Sequence, residues 1–183
     1  MMKYVMAIAL CLVAAPASAE VKQVGPMGFE VSEAATIDGS ATKVYASLLK
    51  VGRWWNPEHT YSGDAANLRI DPRPGGCFCE TLPNGGSHLH MSVVDLQPDK
   101  SIRLRGALGP LQSEGVDGSL TWVIKPADHG VTLTQSYVVG GYFRDGSAKW
   151  APLVNSVLHE QLTRLKSFVE TGSPEPAKAL APH

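Results

Sequence analysis

Cysteine is scarce: three residues in 183 cannot knit together a small disulfide scaffold. One of them, Cys11, sits in the N-terminal apolar run, so beyond it the chain has only Cys77 and Cys79, and the fold must rest on a hydrophobic core. Charge of one sign is also lacking. Sixteen lysines and arginines against 17 acidic residues leave a net charge of −1, which gives no electrostatic case for nucleic acid or an acidic membrane as partner. No apolar run reaches the roughly 18 residues that span a bilayer. Internal repeats are missing, as are a nucleophile elbow, a phosphate-binding loop and a dinucleotide fingerprint, so the sequence implies no cofactor. What remains is a small molecule as partner; nothing here sets an oligomeric state.

The N-terminus has its own pattern. Lys3, an apolar run from Tyr4 to Ala15, and Ala17-Ser18-Ala19 before Glu20 read as a secretory signal peptide. The expectation is cleavage after Ala19 and a periplasmic or secreted protein. A single domain over 27–172 follows, and the segment 173–183, rich in proline and alanine with little to bury, reads as a disordered tail.

Within the domain, Phe29 to Ile37 reads as a first strand, and Asp38-Gly39-Ser40 supplies a turn and an N-cap. The helix that follows would bury Ala41, Val44, Tyr45, Leu48 and Leu49. Val51-Gly52 breaks it, Arg53 to Asn56 adds one turn, and Pro57 ends that turn because it bars Asn56 from helical geometry. Six short segments come next: Leu68–Ile70, Cys77–Leu82, His88–Leu96, Ser101–Leu108, Ser119–Lys125 and Val131–Gly140. Proline and glycine turns divide them, as in an antiparallel meander. From Trp150 to Val169 apolar residues recur at helical spacing, and Gly172 provides a stop.

This order, with GRWWNPEHTYSGDAANL, DPRPGGCFCE and a strand containing HLHMSVV, resembles the START-like or SRPBCC superfamily, in particular its polyketide cyclase/dehydrase-like and Hsp-activator-like bacterial members. The resemblance implies an α+β helix-grip fold, a curved antiparallel β-sheet wrapped around a long C-terminal helix with two short helices after the first strand. It also implies a cavity for an apolar or aromatic molecule. The superfamily holds carriers, cyclases and chaperone cofactors on one scaffold, so fold alone does not fix chemistry. An exported protein would not meet a cytosolic chaperone.

Which side chains face such a cavity depends on the hairpin joining Cys77–Leu82 to His88–Leu96, because a one-residue slip flips every side chain. A two-residue type I′ turn at Asn84-Gly85 would put Cys77, Cys79, His88 and His90 on one face, a set that can hold a soft metal ion. A turn over Pro83-Asn84-Gly85 with Leu82 opposite Gly86 would instead group Phe78 and Glu80 with His88 and His90. The second is favoured: proline suits the first turn position, and Val94 and Leu96 then join Phe78 without a bulge. Glu80 and His90 become the polar groups of a greasy pocket and, if the protein is an enzyme, its acid and base. Cys77 and Cys79 are expected to be small, half-buried apolar residues, since an i,i+2 disulfide is awkward where a strand holds its side chains nearly parallel.

Further candidates complete the set. Trp54 and Trp55 are adjacent, so one is expected in the core and one over the cavity. His59 and Tyr61 follow in a loop. Gln135 and Tyr137 share the inward face of the last strand. The 106–118 segment reads as a loop at the cavity rim. The reading is thus a small-molecule binding protein, with a cyclase, dehydratase or isomerase using Glu80 and His90 as one alternative and metal binding through the cysteines and histidines as another.

Overall fold

The structure, a computed structural model, describes residues 20–175. The leader read over Met1–Ala19 and most of the tail lie outside the described residues. Eight strands form one antiparallel sheet: β1 (Glu20–Gly25), β2 (Gly28–Ile37), β3 (Leu68–Ile70), β4 (Cys77–Thr81), β5 (Ser87–Gln97), β6 (Ser101–Arg105), β7 (Gly115–Pro126) and β8 (Val131–Tyr142). Their order is β1-β2-β8-β7-β6-β5-β4-β3. Two α-helices complete the fold, α1 (Ala41–Leu48) and α2 (Ser147–Thr171), and α2 lies against β1, β2 and α1. This is the helix-grip α+β architecture. Among the described residues, no helix is long and apolar enough to cross a membrane.

Local chemistry explains most boundaries. The Ser40 side chain accepts from the Lys43 amide and starts α1, which buries Val44 and Leu48 and half-buries Ala41, Tyr45 and Leu49. Asn56 is extended (φ −73°, ψ 124°), as Pro57 requires, and the turn falls earlier than expected, at Val51–Arg53, with another at Pro57–His59. Gly172 adopts φ 83° and donates its amide to the Phe168 carbonyl, closing α2. Ser173 to Glu175 fold back on α2, where Arg164 pairs with Glu175 at 2.9 Å. β1 is not legible from alternation, because a bulge between Val21 and Gln23 interrupts its period. The 106–118 segment is a 3₁₀ turn at Gly109–Ser113 running straight into β7.

The decisive hairpin combines both candidate turns. Asn84 (φ 61°) and Gly85 (φ 78°) are left-handed, as in a type I′ turn. Pro83 has no N–H to give Gly86, however, so the Leu82 amide donates to the Gly86 carbonyl at 2.8 Å and Glu80 pairs with His88. The favoured register therefore holds at the turn. Contrary to expectation, two bulges follow. Cys79 pairs with Leu89 and Phe78 with Met91, leaving His90 as an extra residue in β5. Val93 pairs with Leu104 and Asp95 with Arg103, leaving Val94 extra. The first bulge turns His90 and Met91 inward together, and Val94 is exposed instead of facing the core.

Two side chains of β8 tie the sheet to its surroundings. Gln135 accepts from Trp122 Nε1 at 2.8 Å and donates to the Leu158 carbonyl of α2 at 3.0 Å and to Glu33 at 3.2 Å. Tyr137 lies over Gly118, where a Cβ would fall 2.5 Å from the ring, so only glycine fits. Its hydroxyl donates to the Gly106 carbonyl and accepts from the Leu108 amide, both at 3.0 Å. Replacing Gln135 by Leu leaves the buried Trp122 N–H unpaired and frees α2 from β8. Urea unfolding is expected to record a loss of about 2 kcal/mol, and an unchanged midpoint would refute the crosslink.

Candidate functional site

α2 carries more apolar surface than the sheet covers. Trp150, Leu153, Val154, Val157 and Leu158 form one wall of a cavity of about 340 Å³, within the size range of small-ligand sites. The opposite wall is Trp55, Phe78 and His90, and the ends are closed by Glu58–Tyr61 on one side and Leu108–Leu111 on the other. Tyr61 and Leu153 are at least half-exposed, at 50% and 56%, and mark the rim.

The aromatic wall combines an edge-to-face and a tilted contact. Trp55 meets Phe78 at 5.7 Å between ring centroids and 72°, and Phe78 meets His90 at 4.9 Å. Trp55 Nε1 donates to the His59 carbonyl at 3.1 Å, which fixes the ring beneath the loop. Trp54 turns the other way, into the core, and donates to the Ser47 carbonyl at 2.8 Å. The loop is fastened to α2: Asn56 donates its amide to Gln161 and its side chain to Glu160, while His59 Nε2 lies 3.0 Å from Glu160.

Glu80 is inward but does not line the cavity. Only 1% exposed, its carboxylate accepts from the Tyr61 and Ser62 amides and sits 2.9 Å from His90 Nε2. Burial pushes this carboxyl up, but the hydrogen bonds from Ser62, the Tyr61 amide and His90 outweigh it and hold the group below its ordinary value. His90 is 5% exposed, and burial pushes its imidazole below the usual 6.5, with the Glu80 hydrogen bond opposing and His88 assisting. An ionised Glu80 therefore faces a neutral His90. The proton between them belongs on Nε2, which leaves Nδ1 as a bare acceptor on the ring that walls the cavity. Glu80 thus positions the ring, and His90 is the one of the pair that lines the cavity.

Residues 28–170, from the start of β2 almost to the end of α2, match the polyketide cyclase/dehydrase and lipid transport family. The chain belongs to that family. A conserved protein of unknown function from Enterococcus faecalis shares the fold with a TM-score of 0.60 at 17% identity, over 90% of this chain and 82% of the other. CalU16 from Micromonospora echinospora gives 0.58 at 13% identity over 88% of each chain. The di-domain ARO/CYC protein StfQ of the steffimycin biosynthetic pathway gives 0.51 at 17%, over 77% of this chain and 50% of the other. At these identities the likeness is one of fold. No curated protein matches.

In this polyketide cyclase-like chain, five of the sequence candidates meet at the cavity: Trp55, His59, Tyr61, Phe78 and His90. Trp54, Gln135 and Tyr137 do not line it, and the polar atoms of all three are committed to the hydrogen bonds given above. Leu108–Leu111 fall in the segment read as a rim loop, whereas the residues of the α2 wall were missed as site residues. Their signal was present in the helical stripe, whose apolar residues between Trp150 and Leu158 exceed what a sheet edge can cover. The metal alternative is corrected. Cys77 and Cys79 form a disulfide on the outer face of β4, opposite the two imidazoles, so the four cannot converge on one ion. The expectation of two unbonded cysteines fails with it, because β4 is not regular at Phe78.

Both shifted groups make the fold acid-labile, with signs that follow from linkage. His90 binds its proton less readily folded than unfolded, so its contribution is complete above about pH 6.5 and declines as pH falls through the lower folded value. Glu80, also depressed, adds a second decline below about pH 4.5. In His90→Gln, which keeps a donor toward Glu80 but cannot titrate, the first decline is expected to vanish from urea midpoints measured between pH 7 and 5. A retained decline would assign it elsewhere.

Proposed function

We propose that this protein is an exported small-molecule binding protein that holds an apolar or aromatic ligand between its sheet and α2, with a proton-donating group of the ligand directed at His90 Nδ1. The observation that carries the reading is the cavity itself: walled mainly by aromatic and aliphatic side chains, with Glu58–Thr60 at one end, and furnished with one buried imidazole whose Nε2 is already engaged. Affinity comes from apolar area, and orientation from a single hydrogen bond. The N-terminal Lys3, apolar run and Ala17-Ser18-Ala19 support export, and a disulfide suits an oxidising compartment.

The second reading is a cyclase, dehydratase or isomerase. It is favoured by one specific arrangement: a carboxylate holding an imidazole by Nε2 so that Nδ1 can take a proton, the division of labour used by carboxylate–histidine bases generally. Here His90 would remove a proton from a bound carbon acid or phenol and return it, and Glu80 would stabilise the imidazolium in between.

Native mass spectrometry, before and after denaturation, separates these readings. The wild-type protein is expected to release an organic mass, and Val154→Trp, which fills the α2 side of the cavity, to release none while remaining folded. If His90→Gln carries the same mass more weakly, the protein is a carrier; if it accumulates a different mass, the precursor, the protein is an enzyme. An adduct that survives Val154→Trp would place binding outside this cavity.

A further inference from the structure

The Cys77–Cys79 bond closes a loop with a sequence separation of only 2. Crosslinks stabilise by restricting the unfolded chain, and the effect grows with the loop they close, so this one has little to offer as a staple. Its position is more telling. The two Cα atoms are 5.3 Å apart, whereas two steps of a strand cover about 6.6 Å. β4 is therefore shortened around Phe78, and directly across from that shortening β5 carries its extra residue, His90. A contracted strand beside an expanded one is what turns His90 and Met91 inward together. The bond also brackets Phe78, whose ring packs on both Trp55 and His90.

The disulfide is accessible from outside. Both cysteines are only half-buried, and they lie on the sheet face away from the cavity. Arg69 is the cross-strand partner of Cys79 in β3, so an exposed guanidinium shares its face. A nearby cation favours a thiolate and makes it the better leaving group.

We propose that Cys77–Cys79 is an exchangeable redox site, reduced by small dithiols while the protein stays folded, and that its state sets the placement of His90 in the cavity. The reductant's thiolate attacks Cys77 Sγ, the S–S bond breaks, and Cys79 leaves as a thiolate beside Arg69. The reductant's second thiol then displaces Cys77 and closes its own disulfide. Two electrons and two protons pass to the protein, and the dithiol is oxidised. Freed of the link, β4 relaxes toward regular extension and the bulge at His90 loses its counterpart. This rests on the reading that His90 belongs to the ligand site, but its test needs no ligand.

The folded protein is treated with dithiothreitol without denaturant, quenched with iodoacetamide, and mapped by peptide mass. Carbamidomethyl groups are expected on both Cys77 and Cys79, together with a shift of the His90 ring resonances while those of His159 stay fixed and circular dichroism is unchanged. Labelling only after denaturant, labelling with His90 unmoved, or loss of the fold on reduction would each overturn the proposal. The double variant Cys77→Ser/Cys79→Ser is expected to reproduce the reduced His90 resonances, and resonances matching the oxidised protein would overturn it as well. Should that variant not fold, the reduced wild-type chain supplies the same reading. A failed search for a ligand leaves all of these outcomes intact.

Discussion

A carboxylate shut away from water must find donors, and at Glu80 this requirement organises the site. Three donors meet it: the amides of Tyr61 and Ser62 in the loop after the Trp-Trp pair, and the imidazole of His90 on the neighbouring strand. By accepting from all of them, Glu80 draws the loop over the end of the sheet, sets Tyr61 at the rim, and holds His90 by one nitrogen. Removing it would leave two amides without their acceptor and an unanchored ring. The same satisfaction keeps Glu80 ionised, which in turn dictates the His90 tautomer and the atom the cavity sees.

The cavity exists because α2 is held at a distance instead of collapsing onto the sheet. Gln135 fixes it by the Leu158 carbonyl, and Asn56 and His59 fix it through Gln161 and Glu160. On the far side, Tyr137 anchors the turn at Leu108, so Leu108 to Leu111 close one end. These polar ties sit around the apolar walls and use up the hydrogen-bonding capacity of most polar groups nearby. The tie to Glu80 takes His90 at Nε2, which is how a greasy pocket acquires a directional contact at Nδ1.

Much of this was legible in the sequence, for physical reasons that differ by element. α1 announces itself through Ser40 and a helical stripe, and α2 through its stripe and Gly172. Seven of the eight strands, β2 to β8, follow from alternation between turn residues. The register at the turn was read from proline's preference for the first turn position, and it holds because Pro83 lacks an N–H to give Gly86. The bulge at His90 was not readable, because it depends on β4 being shortened by a bond between Cys77 and Cys79 that alternation argues against. Gln135 and Tyr137 were correctly read as inward, yet inward is not the same as cavity-lining. Their partners, Trp122, Leu158, Gly106 and Leu108, are brought near only by the tertiary fold. Glu80 and His90 were seen as a pair, whereas the loop amides that divide their roles lie 18 and 19 residues before Glu80.

The central claim is that His90 is neutral, protonated on Nε2 toward Glu80, and open at Nδ1. Long-range proton–nitrogen NMR of the imidazole rings reads tautomer and charge directly. The account predicts that His90 shows a protonated Nε2 and an unprotonated Nδ1 at pH 7, and keeps that form below the pH at which an ordinary histidine becomes charged. A doubly protonated ring, or a proton on Nδ1, would contradict it and remove the acceptor on which ligand recognition and catalysis are both argued.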